Sequence, residues 1–138
     1  MDATIIAAQA NLRRADVIAM IHNANAGHTG GSLSELEILS VLFDSVMNIS
    51  PDKIHDPDRD RFLLSKGHSV EGYLVVLADK GFFPKEELRT FSQAGSRLIG
   101  HPTNRVPGIE MCTGALGHGL SIGVGMALAA KRLKKTYR

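Results

Sequence analysis

Four of the six histidines in this 138-residue chain stand in glycine-rich stretches: Gly27-His28-Thr29-Gly30-Gly31, Gly67-His68-Ser69, Gly100-His101-Pro102 and Gly117-His118-Gly119. Glycine lets the backbone approach a ligand closely or take left-handed angles. An imidazole beside it can donate to an anionic oxygen or carry a proton near neutral pH. Any one of these associations also fits a loop histidine making a structural hydrogen bond, but four in one chain point to shared chemistry. His22, His55 and Cys112 have no such neighbours and read as ordinary surface or core residues.

The second stretch has the most favourable setting. Arg61-Phe62-Leu63-Leu64-Ser65 is a short apolar run bounded by turn signals, the pattern of a strand buried on both faces. Lys66-Gly67-His68 then turns into a helix, and the free amides at such a helix start favour phosphate, with Lys66 adding charge. A strand-to-helix turn with a surface lysine is the plainer reading. The stretch Thr113-Gly114-Ala115-Leu116-Gly117-His118-Gly119 opens the last helix and again offers amides to an anion or a flat ring. Glycines kept there only for tight packing would look the same.

Other chemistries find little support. There is no H-E-x-x-H, no Walker A lysine loop and no G-x-S-x-G elbow. Gly117-His118-Gly119 and Gly123-Val124-Gly125 lack the spacing and the preceding strand of a dinucleotide fingerprint. Asp56, Asp58 and Asp60 lack the glycine and distal glutamate of a calcium loop, so no metal ligands are assigned. A net charge of +2 is mild, and the basic run Lys131, Arg132, Lys134, Lys135, Arg138 suits the C-terminal end of a helix better than a nucleic-acid surface. One cysteine excludes an internal disulfide and fits a reducing, cytoplasmic compartment. The first residues of the sequence lack the charged start and unbroken apolar stretch of a signal peptide, and the longest apolar runs are far below the ~20 residues of a membrane span.

The elements that must position the histidines follow from periodicity. The pattern predicts helices over Asp2 to Ala26, ended by Gly27; over about Ser34 to Asn48, opened by a Ser32–Glu35 capping box and apolar around much of its circumference; over Val70 to Lys80, stopped by Gly81; over Pro84 to about Phe91; and over Leu120 to Lys135. In the last, Gly123, Gly125, Ala127, Ala129 and Ala130 would admit another backbone. Residues 50–60 and 93–114 read as loops. The expected class is α/β, helix-dominated and incomplete, with one parallel-type strand at about 61–65. A lone buried strand cannot satisfy its own ladder hydrogen bonds, so the chain is expected to be a fragment or to receive strands from a partner.

Taken in order, G-H-T-G-G-S, D-R-D-R-F-L-L-S-K-G-H, G-H-P and T-G-A-L-G-H-G resemble the N-terminal, thiamine-diphosphate-binding part of transketolase over roughly residues 20–135. The resemblance implies transfer of a two-carbon ketol unit between sugar phosphates with thiamine diphosphate and a divalent cation such as Mg²⁺. It implies that His28 and His101 face substrate oxygens, that His68 reaches the diphosphate and the reacting centre, and that Gly114 and Leu116 line the cofactor site. Lys66 and His118 join the cofactor-binding candidates. They stand where long transketolases carry asparagine and glutamine, and so look like the shorter, two-chain transketolases. Ser92 replaces a familiar arginine, which bears on acceptor-phosphate contacts.

In the family a G-D-G motif and a later asparagine hold the metal. Both are expected beyond this sequence, as is the domain that binds the aminopyrimidine. The implied partners are a second copy of the chain and a complementary pyrimidine-binding domain or subunit, without which the 138 residues should be inactive. Two alternatives are a non-catalytic binding or assembly module and a part of deoxyxylulose-phosphate synthase.

Overall fold

The computed structural model describes residues 2–138, and among them every assigned element is helical. Asp2 opens α1 (Ala3–Ala24) by accepting the Thr4 amide at 2.7 Å, and the helix closes on Asn25 in the left-handed conformation, φ 50°. Asparagine tolerates those angles, so the helix stops before the expected Gly27. Ile6, Ala10, Arg13, Val17 and Met20 form its buried stripe at helical spacing, whereas Ile5, Leu12 and Ile18 remain exposed.

The single helix expected over Ser34–Asn48 is divided into α2 (Thr29–Leu33), α3 (Leu36–Val41) and a wide π turn, Leu42–Val46. The capping box does not form. Ser32 lies within α2 and gives its hydroxyl to Glu71 Oε2 at 2.6 Å, while Glu35 accepts the Ser69 hydroxyl at 2.6 Å. Hydroxyls bonded to buried carboxylates make stronger bonds than a neutral cap would, and these tertiary partners win. Nor is the stretch buried all round: Leu36, Leu39 and Phe43 face the core, but Ile38, Val41 and Val46 are exposed.

At the centre runs α4 (Val70–Asp79), in which every residue from Val70 to Ala78 is buried. Packed around it are α1, α2, α3 and the 3₁₀ turns of Lys85–Thr90. The fourth expected helix is present as these 3₁₀ turns, bounded by extended backbone at Pro84 and Phe91. Gly81 takes the expected left-handed stop, φ +81°. Tyr73 donates its hydroxyl to the Gly108 carbonyl at 2.7 Å and so pins the long loop over the core.

The strand expected at 61–65 is not found: the described residues contain no strand, while the helix-dominated character expected of them is present. A strand is defined by a ladder, and no neighbour supplies one. Instead the Arg61 amide donates to the Arg138 carbonyl at 2.8 Å, and the Leu64 carbonyl accepts the Thr113 hydroxyl at 2.6 Å.

The last helix, α5 (His118–Arg132), starts ahead of the expected Leu120 and buries only Gly119 and Ala130. Leu120, Val124 and Leu128, four residues apart, form an exposed apolar row. Close backbone approach occurs at Gly119, where a Cβ would stand 2.6 Å from Ser65 Cα; nothing lies within 4 Å of the same position at Gly123 or Gly125. No helix among the described residues is long and apolar enough to cross a membrane.

Candidate active site

Three histidines that are distant in sequence converge. His28 stands at the residue that precedes α2, His68 sits in the 3₁₀ turn Gly67–Ser69 that feeds α4, and His101 comes from the long loop. Ring centroids are 4.6 Å apart for His68 and His101, 5.2 Å for His28 and His68, and 6.3 Å for His28 and His101, all edge to face. The loop at Thr113–Gly114 closes this group from one side. A Cβ on Gly114, whose φ is +155°, would lie 2.8 Å from His101 Cδ2, and one on Gly67 would lie 2.8 Å from the Gly114 nitrogen. These two glycines are required because backbone and imidazole occupy the space a side chain would need.

Behind the rings stands a wall of buried polar side chains. Glu71 on the first turn of α4 accepts the His28 amide at 2.9 Å and the Ser32 hydroxyl at 2.6 Å. Glu35 accepts the Ser69 hydroxyl, and Lys66 Nζ lies 3.7 Å from its Oε2 while donating to the Gly31 carbonyl at 3.0 Å and to Ser34 Oγ at 3.1 Å. Burial, reinforced by the charge of Glu71 and only partly offset by Ser69 and Lys66, pushes the Glu35 carboxyl up to about 7. Burial and the neighbouring His68 and His28 hold His101 below the ordinary imidazole value, so it is neutral and able to accept a proton at neutral pH. Glu35 Oε1 and His68 Nδ1 are buried without a hydrogen-bond partner.

Of the residues singled out in the sequence, the fold joins His28, His68, His101 and Gly114, and sets Lys66 against the carboxylate wall. Leu116, 69% exposed, and His118 stay exposed at the start of α5, outside the packed cluster. Two site residues, Glu71 and Glu35, escape the sequence reading. The available signal for Glu71 is a lone carboxylate in the apolar run Val70 to Ala78, whereas Glu35 has the spacing of a cap. No group of three or more His, Cys, Asp or Glu among the described residues is placed to hold a metal ion.

Residues 5–138 match the family model for the thiamine-diphosphate-binding domain of transketolase. The chain belongs to the transketolase family. It is 50% identical over 130 residues to an apulose-4-phosphate transketolase subunit of Phocaeicola vulgatus, covering 94% of this chain and 46% of that protein. It is 43% identical over 122 residues to the subunit of the same name from Actinobacillus succinogenes, covering 88% of this chain and 44% of that one. The chain therefore spans about half the length of these relatives. Among solved structures it superposes on the transketolase of Campylobacter jejuni with a TM-score of 0.89 and 34% identity, over 97% of this chain and 21% of the other. That the relatives are named as transketolase subunits agrees with the two-chain resemblance read from Lys66 and His118.

Proposed function

We propose that this transketolase-family chain takes part in transferring a two-carbon ketol unit between sugar phosphates, and that it supplies only part of the site. The observation that carries the reading is the convergence of His28, His68 and His101 against Gly114, on a face where both loop backbones come close. The residues fit thiamine diphosphate. His68 has a buried Nδ1 with no partner, and the N-terminus of α5 has no side-chain cap over its amides. When bound, the cofactor supplies the nucleophilic carbon and electron sink that break and remake the sugar carbon–carbon bond.

In this reading His28 and His101 bind hydroxyl and carbonyl oxygens of the sugar, and neutral His101 accepts a proton from a hydroxyl. His68 reaches the diphosphate and the reacting centre, while Lys66, Gly114, Leu116 and His118 line the cofactor side. Mg²⁺ would take its ligands from outside these residues. A second copy of the chain and a complementary pyrimidine-binding subunit complete the assembly, in the cytoplasm; the naming of the relatives as subunits supports the second of these partners. The exposed row Leu120, Val124 and Leu128 favours a second reading, in which the chain is a non-catalytic assembly module.

Isothermal titration with thiamine diphosphate and Mg²⁺, followed by a turnover assay, separates the two. The first reading expects no turnover from the chain alone and cofactor-dependent ketol transfer once its complementary subunit is added. Complex formation without turnover would select the assembly module, and turnover by the chain alone would overturn the split site.

A further inference from the structure

Glu71 has a fully buried side chain, and both of its oxygens serve one short segment. Oε1 accepts the His28 main-chain N–H at 2.9 Å and Oε2 the Ser32 hydroxyl at 2.6 Å. Oε1 also faces Nδ1 of the His28 ring at 3.8 Å. Gly27 makes the approach possible: its φ is +142°, and a Cβ there would stand 2.8 Å from Oε1. Lys66, the nearby permanent cation, is engaged by Glu35, the Gly31 carbonyl and Ser34. The ring that faces Glu71 is thus the half-exposed imidazole of His28.

A carboxylate facing one imidazole nitrogen favours the proton on that nitrogen and fixes which nitrogen is left as acceptor. We propose that Glu71 is the positioning residue for His28: it anchors the 27–32 segment at two points and keeps the ring proton on Nδ1, leaving Nε2 free to accept a hydrogen bond from a substrate hydroxyl. The hold on the ring stands on geometry alone. Its use in catalysis rests on the reading of His28 as a substrate contact.

Long-range ¹H–¹⁵N correlation of the ¹⁵N-labelled chain, at a pH about two units above the ordinary imidazole value of ~6.5, reads the tautomer directly. His28 is expected as Nδ1–H in the unaltered chain, and Glu71→Gln, which keeps an acceptor for the His28 amide, is expected to shift the ring toward Nε2–H. An Nε2–H ring in the unaltered chain overturns the proposal whether or not the variant folds, as does a folded variant with an unchanged tautomer. With the complementary subunit present, Glu71→Gln should lower kcat about 10- to 100-fold with a smaller change in KM. A shifted tautomer with unchanged turnover would uphold the hold on the ring and overturn His28 as a substrate contact.

Discussion

Two clusters of charge are buried in this small fold, and they are built in opposite ways. Around Arg13, 1% exposed, every charge is answered: its guanidinium bonds Asp44 at 2.7 Å, Asp79 at 2.6 Å and Ser40 Oγ at 2.7 Å, and Lys80 adds a second cation 3.2 Å from Asp44. Burial works against the charge on Asp44, but Arg13 and Lys80 outweigh it and hold the carboxyl below its usual range. Around the histidines the reverse holds. Two carboxylates face hydroxyls, amides and one half-exposed ring, with Lys66 at 3.7 Å the one permanent cation paired with them among the described residues. Glu35 Oε1 and His68 Nδ1 lack partners altogether. A satisfied cluster locks α1, α3 and α4 together; an unsatisfied one is a place where a ligand has interactions left to make.

The largest expected effect breaks the satisfied cluster. Arg13→Met strands Asp44, 3% exposed, with only Lys80 to answer it, and should destabilise the fold by about 3–5 kcal/mol in urea denaturation. A loss under about 1 kcal/mol would mean that the network contributes little and that the contrast between the clusters is wrong.

An intermediate effect belongs to Glu35, and its sign depends on pH. With a folded value of about 7 against an ordinary 4.5, the native state keeps a proton that the unfolded chain releases between those two values. Stability falls as pH rises through that window and levels off above it. Glu35→Gln removes the slope and still accepts the Ser69 hydroxyl. The variant should gain about 1–3 kcal/mol relative to the unaltered chain on going from about pH 4 to pH 8. Parallel unfolding curves at the two pH values would show Glu35 to be as well compensated as Asp44.

The smallest effect sharpens the comparison from outside both clusters. Lys135 pairs with Asp58 at 2.7 Å, but both side chains are a third or more exposed. Lys135→Ala should change stability by no more than about 0.5 kcal/mol, and less at high salt.

The repeated pairing of glycine with histidine marks four loops before any geometry, and three of them, at His28, His68 and His101, converge, while His118 stays apart. The order and spacing of those loops also carry the family. The helices over residues 3–24 and 70–79 are legible from apolar spacing and the glycines that follow them, and most of 118–132 from its run of small and apolar residues. By contrast, the break between α2 and α3 and the absence of a strand at 61–65 are not. Both are decided by partners remote in sequence: Glu71 taking Ser32, Ser69 taking Glu35, Thr113 and Arg138 taking the main chain of 61–64. Periodicity reports which face of a segment is apolar and is silent about which remote group will accept a hydroxyl. The tertiary structure alone placed two carboxylates behind the three histidines, since their pairing depends on α2 and α4 lying side by side, a contact that no local spacing encodes.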